Sequence, residues 1–132
     1  MKSKIINVSF NDNLENSTYP IFVGTGILSN CDEILKKFVK DKKVILIHDT
    51  FFSSKKGEDK KFFNFVKSIK KFTISVNLIS ISGGDKTKNI FELNHILEKS
   101  LSYEISRDSL IIAFGGGVIG DIAGFASSIL LR

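Results

Sequence analysis

The chain has 132 residues, of which 42% are hydrophobic and 25% are charged, and its net charge is +5 at pH 7. This length and composition are typical of one globular domain and exclude collagen-like and intrinsically disordered chains. No apolar run approaches the roughly 18 residues of a membrane span, so we predict none. The lysines are spread along the chain, which favours a solvated surface suited to a phosphate-bearing ligand over a nucleic-acid interface.

The N-terminal third of the chain predicts a β-hairpin followed by a helix. Residues 4–10 alternate between apolar and polar types with the period of a half-buried strand, and we pair them with a second strand over 19–23. Residues 24–38 have apolar side chains at helical spacing, and Cys31 lies on that apolar face. Because Cys31 is the only cysteine, we expect a core thiol in a protein of the reducing cytosol.

From residue 43 onward, predicted strands alternate with predicted helices. The strands are 42–49, 73–81 and 109–114, and the helices are 59–72, 87–101 and 119–131. Thr87 is the predicted N-cap of the second helix, which would turn inward Ile90, Leu93, Ile96, Leu97 and Leu101. The alternation predicts one α/β domain over 1–132, a Rossmann-like, mostly parallel sheet flanked by helices, with the N-terminal β-hairpin leading in.

The strongest functional signal is "FGGGVIGDIAGFASS", residues 114–128. Ligands of open parallel sheets bind beyond the carboxyl ends of the strands, and here three glycines directly follow a predicted strand. Glycines let a ligand approach the main chain, and free N–H groups at a helix N-terminus favour an anion such as a pyrophosphate. We place Asp121 in the first turn of this helix, facing ribose or substrate hydroxyls. The alternative is a tight turn packed by glycines, with Asp121 complementing the helix dipole.

The spacing Gly115-x-Gly117-x-x-Gly120 formally matches the dinucleotide-binding fingerprint. It follows the last predicted strand, whereas the ordinary Rossmann fingerprint follows the first, and it lacks the Gly-Lys-Ser/Thr ending of a P-loop. The sequence therefore predicts a phosphate loop of another lineage.

Two further strand ends carry candidate ligand-binding residues. In "SGGDKTKN", Asp85 and Lys88 could grip ribose hydroxyls and a phosphate, or could form a solvated charge pair at a helix start. Asp49 could accept hydrogen bonds from an adenosine ribose, or could cap a helix. The His, Cys and carboxylate residues of this sequence lack metal-ligand spacing.

Four stretches together resemble one enzyme family. They are "YPIFVGTGIL", the strand that ends in Asp49, "GGDKTKN" and "SRDSLIIAFGGGVIGDIAGFASSILLR". In this order and spacing they resemble the N-terminal part of 3-dehydroquinate synthase, within the wider group of sugar-phosphate cyclases, and "GGGVIGDIAGFAS" is the most specific of them. The resemblance implies an NAD-binding domain whose cofactor contacts carry over to Asp49, Gly83, Gly84, Asp85, Lys86, Thr87, Lys88, Gly116, Gly117, Val118, Ile119, Gly120 and Asp121. Asp85 stands where the family usually has glutamate.

The resemblance also implies an activity for a longer enzyme. That family converts 3-deoxy-D-arabino-heptulosonate 7-phosphate, a phosphorylated sugar acid, to 3-dehydroquinate and phosphate in the shikimate pathway of aromatic amino acid biosynthesis. Arg132 is similar to the family's arginine that contacts the substrate phosphate, reaching a neighbouring subunit. The family's helical domain, which holds zinc or cobalt on one Glu and two His, is absent from this sequence, so we expect that divalent metal only in a full-length enzyme.

We therefore expect residues 1–132 to be a truncated domain that ends inside its last helix and has no turnover alone. We expect the full-length protein to be a cytoplasmic homodimer that binds neither nucleic acid nor membrane. The alternatives are a related sugar-phosphate cyclase, an NAD-dependent glycerol or polyol dehydrogenase, and a non-catalytic fragment that binds a nucleotide.

Overall fold

Each predicted strand and helix has a counterpart in a computed structural model, which describes residues 3–9, 18–54 and 59–130. In chain order the elements are β1 (Ser3–Ser9), β2 (Thr18–Gly24), a 3₁₀ turn (Ile27–Asn30), α1 (Cys31–Val39), β3 (Lys43–Asp49), α2 (Thr50–Ser53), α3 (Lys60–Lys70), β4 (Ser75–Ile81), a second 3₁₀ turn (Asp85–Thr87), α4 (Ile90–Ser102), β5 (Leu110–Phe114) and α5 (Gly117–Ile129). The predicted α/β class is confirmed. Phe10 and Leu131, the predicted ends of two elements, lie outside the described ranges.

The N-terminal hairpin forms a sheet of its own. Strands β1 and β2 are antiparallel, with Ser3 opposite Gly24 and Ser9 opposite Thr18. Several of its apolar side chains remain exposed, including Ile21 and Val23. The hairpin is therefore an appendage, and the parallel sheet builds the core of the described chain.

The second sheet is parallel and has the strand order β4-β3-β5. Its central strand contains five consecutive buried residues, 44–48. Helices cover both of its faces, which explains why the sequence of this strand is apolar without alternation. The mostly parallel Rossmann-like sheet predicted from the sequence is confirmed.

Alternate residues of β3 pack into two helical layers. Val44 and Leu46 belong to the cluster formed with α1 and α3, whereas Ile45 and Ile47 belong to the cluster formed with α4 and α5. The predicted core thiol is confirmed, because Cys31 is buried in the first cluster and its burial raises the pKa of the thiol. No helix among the described residues has the length and apolar character needed to cross a bilayer.

The structure corrects the predicted start and inner face of α4. Asn89 is the N-cap, since its side chain accepts a hydrogen bond from the Glu92 N–H at 2.9 Å. The predicted cap, Thr87, is buried in the preceding loop and donates its hydroxyl to the Ser82 carbonyl at 2.6 Å. The helix buries Leu93, Ile96 and Ser100 and partly buries Leu97, while Ile90 and Leu101 are exposed, contrary to prediction. The buried face of α4 is therefore narrower than the apolar residues of its sequence predicted.

Candidate functional site

All three predicted site segments leave the parallel sheet at the same edge. Asp49, the last residue of β3, lies opposite Ile81 of β4, and His48 lies opposite Phe114 of β5. From β3 the chain passes to β4, which lies on one side of β3, and then crosses back to β5 on the other side of β3. The switch point is therefore between β3 and β5, where ligands of open α/β sheets bind.

The glycine run after β5 combines one packing requirement with two open positions. A Cβ built on Gly115 would lie 2.5 Å from Cγ1 of Ile119, so packing against α5 requires this glycine. Gly116 and Gly117 differ, because a Cβ on either meets no heavy atom within 4 Å. The only described glycines with positive φ are Gly26 and Gly84. Neither packing nor backbone strain within the described chain accounts for Gly116 and Gly117, and a side chain at either position would enter open space.

The N-terminus of α5 presents main-chain donors to this open space. Gly116 is the N-cap and supplies no side-chain acceptor. The first helical hydrogen bond runs from the Gly120 N–H to the Gly116 carbonyl at 3.1 Å, so the amides of Gly117, Val118 and Ile119 precede it. The Ile119 side chain is buried, and a Cβ on Gly120 would also meet open space. This end of the helix suits an anion.

Asp121 lies in the second turn of α5, not in the first turn as predicted. The helix begins at Gly117, two residues before its predicted start, and its first turn has no acidic residue. The helix dipole acts mainly within the first turn, so complementing it does not explain Asp121.

Asp121 instead forms an ion pair with Lys88. Its Oδ2 accepts a hydrogen bond from Lys88 Nζ at 2.6 Å, and the two side chains are 65% and 44% exposed. The hydrogen bond, followed by the attraction between the charges, raises the pKa of Lys88. The pair links the loop after β4 to α5 and brings together two residues predicted for the site.

The loop from Ser82 to Asn89 is held by its own hydrogen bonds. Gly84 has φ +102, a backbone conformation that L side chains rarely adopt. The Lys88 N–H donates to the Asp85 carbonyl at 3.1 Å. Asp85 and Lys86 are exposed on this loop, and the predicted pairing of Asp85 with Lys88 gives way to the Lys88–Asp121 contact. The loop therefore holds its charged side chains at the same edge as the glycines.

Asp49 combines a capping role with a position at this edge. Its Oδ1 accepts a hydrogen bond from the Phe51 N–H at 2.9 Å and so caps the short helix α2. Its Oδ2 lies beside Gly83, where the Cβ of any larger residue would overlap it. Strand alternation places Asp49 on the face of Ile45 and Ile47, which is covered by α4 and α5. Of the two predicted roles for Asp49, the helix cap is therefore present in the structure, and Oδ2 takes no part in the capping hydrogen bond.

A cavity of about 340 Å³ lies beside the ion pair, between α4 and α5. It is mostly apolar and is lined by Lys88, Asn89, Ile90, Leu93, Asp121, Ile122 and Phe125. Sequence reasoning did not find it because the cavity depends on how the two helices pack. The available signal was the spacing that puts Asp121 and Phe125, four residues apart, on one face of α5.

The described residues offer little for a metal. Among them, no group of three or more His, Cys, Asp and Glu side chains could hold a metal ion. His48 is buried, and its ring packs against Phe62 with 4.7 Å between the centroids, which is a structural role. Arg132, predicted to contact substrate phosphate, lies outside the described residues.

Comparison with known proteins finds relatives over most of the chain. A family model described as 3-dehydroquinate synthase N-terminal matches residues 77–132. The 3-dehydroquinate synthase of Clostridium acetobutylicum is 36% identical over 119 residues, which are 90% of this chain and 32% of that enzyme. The same enzyme from Prochlorococcus marinus strain MIT 9312 is 36% identical over 121 residues, again 90% of this chain and 32% of the relative. The chain thus spans about a third of the length of these curated relatives.

The fold has counterparts among solved structures. A crystal structure of 2-deoxy-scyllo-inosose synthase superposes with a TM-score of 0.73 and 19% identity, covering 96% of this chain and 33% of that one. Another structure of that enzyme, complexed with carbaglucose-6-phosphate, NAD+ and Co2+, gives the same TM-score, and the match covers 32% of that chain. At 19% identity this likeness concerns the fold alone. The similarity to 3-dehydroquinate synthase rests on the sequence matches. The resemblance predicted from the motifs is confirmed: the chain is similar in sequence to the N-terminal part of 3-dehydroquinate synthases.

Proposed function

We propose that this chain binds NAD at the carboxyl edge of its parallel sheet, as the cofactor-binding part of a 3-dehydroquinate synthase. One observation carries the proposal: at the start of α5, a Cβ on Gly116 or Gly117 would meet open space, and neither packing nor a positive φ requires glycine at these positions. Asp49 and the Lys88–Asp121 pair border the same edge. A dinucleotide needs this combination of anion-binding amides and nearby hydroxyl acceptors.

The residues fit the parts of NAD in different ways. The amides of Gly117, Val118 and Ile119 would hold the pyrophosphate, because helical bonding leaves them without backbone partners. Asp49 Oδ2 would accept hydrogen bonds from ribose hydroxyls, since Oδ1 is occupied by the Phe51 amide. From its position on α5, Asp121 would accept hydrogen bonds from the hydroxyls of the second ribose. When bound, NAD supplies the hydride acceptor for transient oxidation of a substrate alcohol.

The loop after β4 would support the cofactor from the other side. Gly83 lets its main chain lie close to Asp49, Gly84 provides a positive φ, and the buried Thr87 ties the loop to the end of β4. Asp85 and Lys86 are exposed there, where a carboxylate and an ammonium could meet ribose hydroxyls and phosphate. Lys88 would reach phosphate by exchanging its contact with Asp121.

The reaction proposed for the whole enzyme is the conversion of 3-deoxy-D-arabino-heptulosonate 7-phosphate to 3-dehydroquinate and phosphate. Curated relatives with this enzyme name support it. A divalent metal, zinc or cobalt, belongs to the proposal for the full-length enzyme, supported by the related fold that was solved with NAD+ and Co2+. The substrate-phosphate contact of Arg132, the homodimer and the cytoplasmic location remain predictions.

Titration of NAD into residues 1–132 tests the cofactor role. We expect saturable heat with a dissociation constant in the micromolar to millimolar range and no phosphate release when the heptulosonate phosphate is added. A folded circular dichroism spectrum with no heat at millimolar NAD would contradict the cofactor role. Turnover by residues 1–132 alone would contradict the requirement for a further domain.

A related sugar-phosphate cyclase is the second candidate, favoured by the fold match to 2-deoxy-scyllo-inosose synthase. Both candidates predict NAD binding, so the titration does not separate them. The nucleotides that follow the Arg132 codon do. An in-frame continuation resembling "PTTLLA" supports the 3-dehydroquinate synthase assignment, and a different continuation favours a related cyclase or a polyol dehydrogenase.

A further inference from the structure

One face of the N-terminal hairpin is apolar across both strands. Antiparallel pairing places Ile6 opposite Ile21 and Val8 opposite Tyr19, and strand alternation adds Val23 to the same face. These five residues are called the hairpin face below. Ile6 and Ile21 are each 40% exposed, and Val23 is 53% exposed. The opposite face of β1 carries the polar side chains of Asn7 and Ser9, so the apolar residues of this strand are concentrated on the hairpin face.

The core of the described chain does not cover the hairpin face. Neither hydrophobic cluster of the described residues includes a residue of the hairpin. The hairpin is a two-stranded sheet separate from the parallel sheet, and β2 contacts the 3₁₀ turn Ile27–Asn30. An isolated two-stranded hairpin is marginally stable in water, and contiguous exposed apolar residues mark interaction surfaces. We therefore expect a partner to cover the hairpin face.

We infer that this partner is a second copy of the chain, whose hairpin face packs against the first around a two-fold axis. The face is self-complementary, because its five residues are all apolar or aromatic and uncharged. Two stacked hairpins would form a four-stranded sandwich with Ile6 and Ile21 near its centre. The only charged β1 residue beside them, Lys4, lies opposite Val23 at the end of the face and is exposed. Its long stem would let the ammonium remain in solvent.

The position of the hairpin favours a second copy over another part of the chain. The 3₁₀ turn beside the hairpin belongs to the layer of α1 and α3, since Leu28 packs against their cluster. The last described helix, α5, packs in the other layer, on the far side of the parallel sheet. Residues that follow α5 would start from that far side, whereas a second copy brings a matching face directly. Association through the hairpin face does not depend on NAD binding.

Sedimentation equilibrium of residues 1–132 over a range of concentrations tests this association. We expect a monomer–dimer equilibrium with no larger species, because a two-fold contact is closed. Ile6→Lys would bury two ammonium groups at the centre of the dimer, one from each copy, and should raise the dimer dissociation constant at least about 100-fold. Ile74→Lys is the matched control, because Ile74 is also an exposed isoleucine (67%) and lies outside the hairpin. It should keep the wild-type dissociation constant.

A milder variant guards against loss of the hairpin itself. In Ile21→Thr, threonine keeps a β-branched side chain that suits a strand, and it places a hydroxyl in the apolar contact. The circular dichroism spectrum should remain that of the wild type. The dimer dissociation constant should rise at least about tenfold, because the hydroxyl is buried in both copies.

Three results would overturn the inference. A wild type that remains monomeric at about 1 mM would mean that another segment or another protein covers the hairpin face. Unchanged association of both hairpin variants, or its loss in Phe125→Lys instead, would place the contact elsewhere; Phe125 is 58% exposed on α5. Open-ended aggregates in place of a dimer would contradict a two-fold contact.

Discussion

Gly117→Val should abolish NAD binding while leaving the fold intact. Gly117 is the first residue of α5, its φ is not positive, and a Cβ there meets no heavy atom within 4 Å. Valine is a better helix former than glycine by about 0.4 kcal/mol. We therefore expect the free energy of unfolding to change by less than about 0.5 kcal/mol.

The expected loss of affinity follows from the amides that the valine would cover. The Gly117 and Val118 amides precede the first helical hydrogen bond, and each would donate to a pyrophosphate oxygen. A hydrogen bond to a charged group contributes about 1.5–3 kcal/mol, so losing two weakens binding by about 3 kcal/mol or more. Since 1.4 kcal/mol corresponds to tenfold, the dissociation constant should rise at least about 100-fold.

Isothermal titration with NAD measures this change, and a urea titration checks the fold. Gly124→Val is the matched control, because it makes the same substitution on the same helix about 10 Å further along its axis, also in open space. It should keep wild-type affinity. If Gly117→Val binds NAD within about threefold of the wild type, less than one lost hydrogen bond would give, the glycine loop does not contact the cofactor.

Three other substitutions test the packing and charge of the helices. Ser100 is fully buried in α4, and its hydroxyl has no hydrogen-bond partner among the described atoms, so Ser100→Ala should raise the free energy of unfolding by about 1 kcal/mol in urea titration. Gly124→Ala fills open space inside α5 and should stabilise by about 0.8 kcal/mol through helix propensity; no gain would mean that this part of the helix is frayed. Asp121 raises the pKa of Lys88 above its ordinary 10.5, so the ion pair's contribution is fully present below that pH and is lost as pH rises through the raised pKa. The urea midpoints of the wild type and Lys88→Met should therefore differ by a constant amount between about pH 7 and pH 10 and converge above it; a difference that persists at higher pH would contradict the ion pair.

The elements that could be predicted from the sequence are those whose apolar residues are buried by the helices packed directly against them. The five apolar residues of β3 predicted a strand covered on both faces, and α1 and α3 bury this strand on one face while α4 and α5 bury it on the other. The predicted start of α4 was wrong because Thr87 and Asn89 are both good N-caps. Which of the two caps the helix depends on a contact across the loop. Thr87 donates to Ser82, which leaves Asn89 at the cap.

The location of the candidate site could be predicted, but its internal contacts could not. Parallel strands share a carboxyl edge, so Asp49 and the glycine loop were expected to be neighbours once the sheet was parallel. The Lys88–Asp121 pair joins residues 33 positions apart and depends on how α5 packs beside α4. The start of α5 at Gly117 was missed because consecutive glycines have low helix propensity, and here tertiary packing overrides it.

The glycines at this edge fall into three groups, which the sequence alone cannot separate. Gly84 is required by its φ, and Gly115 and Gly83 are required by side chains that a Cβ would overlap. Gly116 and Gly117 have neither reason within the described chain. The glycine fingerprint counts Gly115, Gly117 and Gly120 alike, whereas in the structure packing explains Gly115 and leaves Gly117 and Gly120 beside open space. Of the glycines beside open space, Gly116 and Gly117 are the two at the start of α5. The case for a bound dinucleotide therefore depends on Gly116 and Gly117, and the position 117 substitution tests it where no internal packing can account for the result.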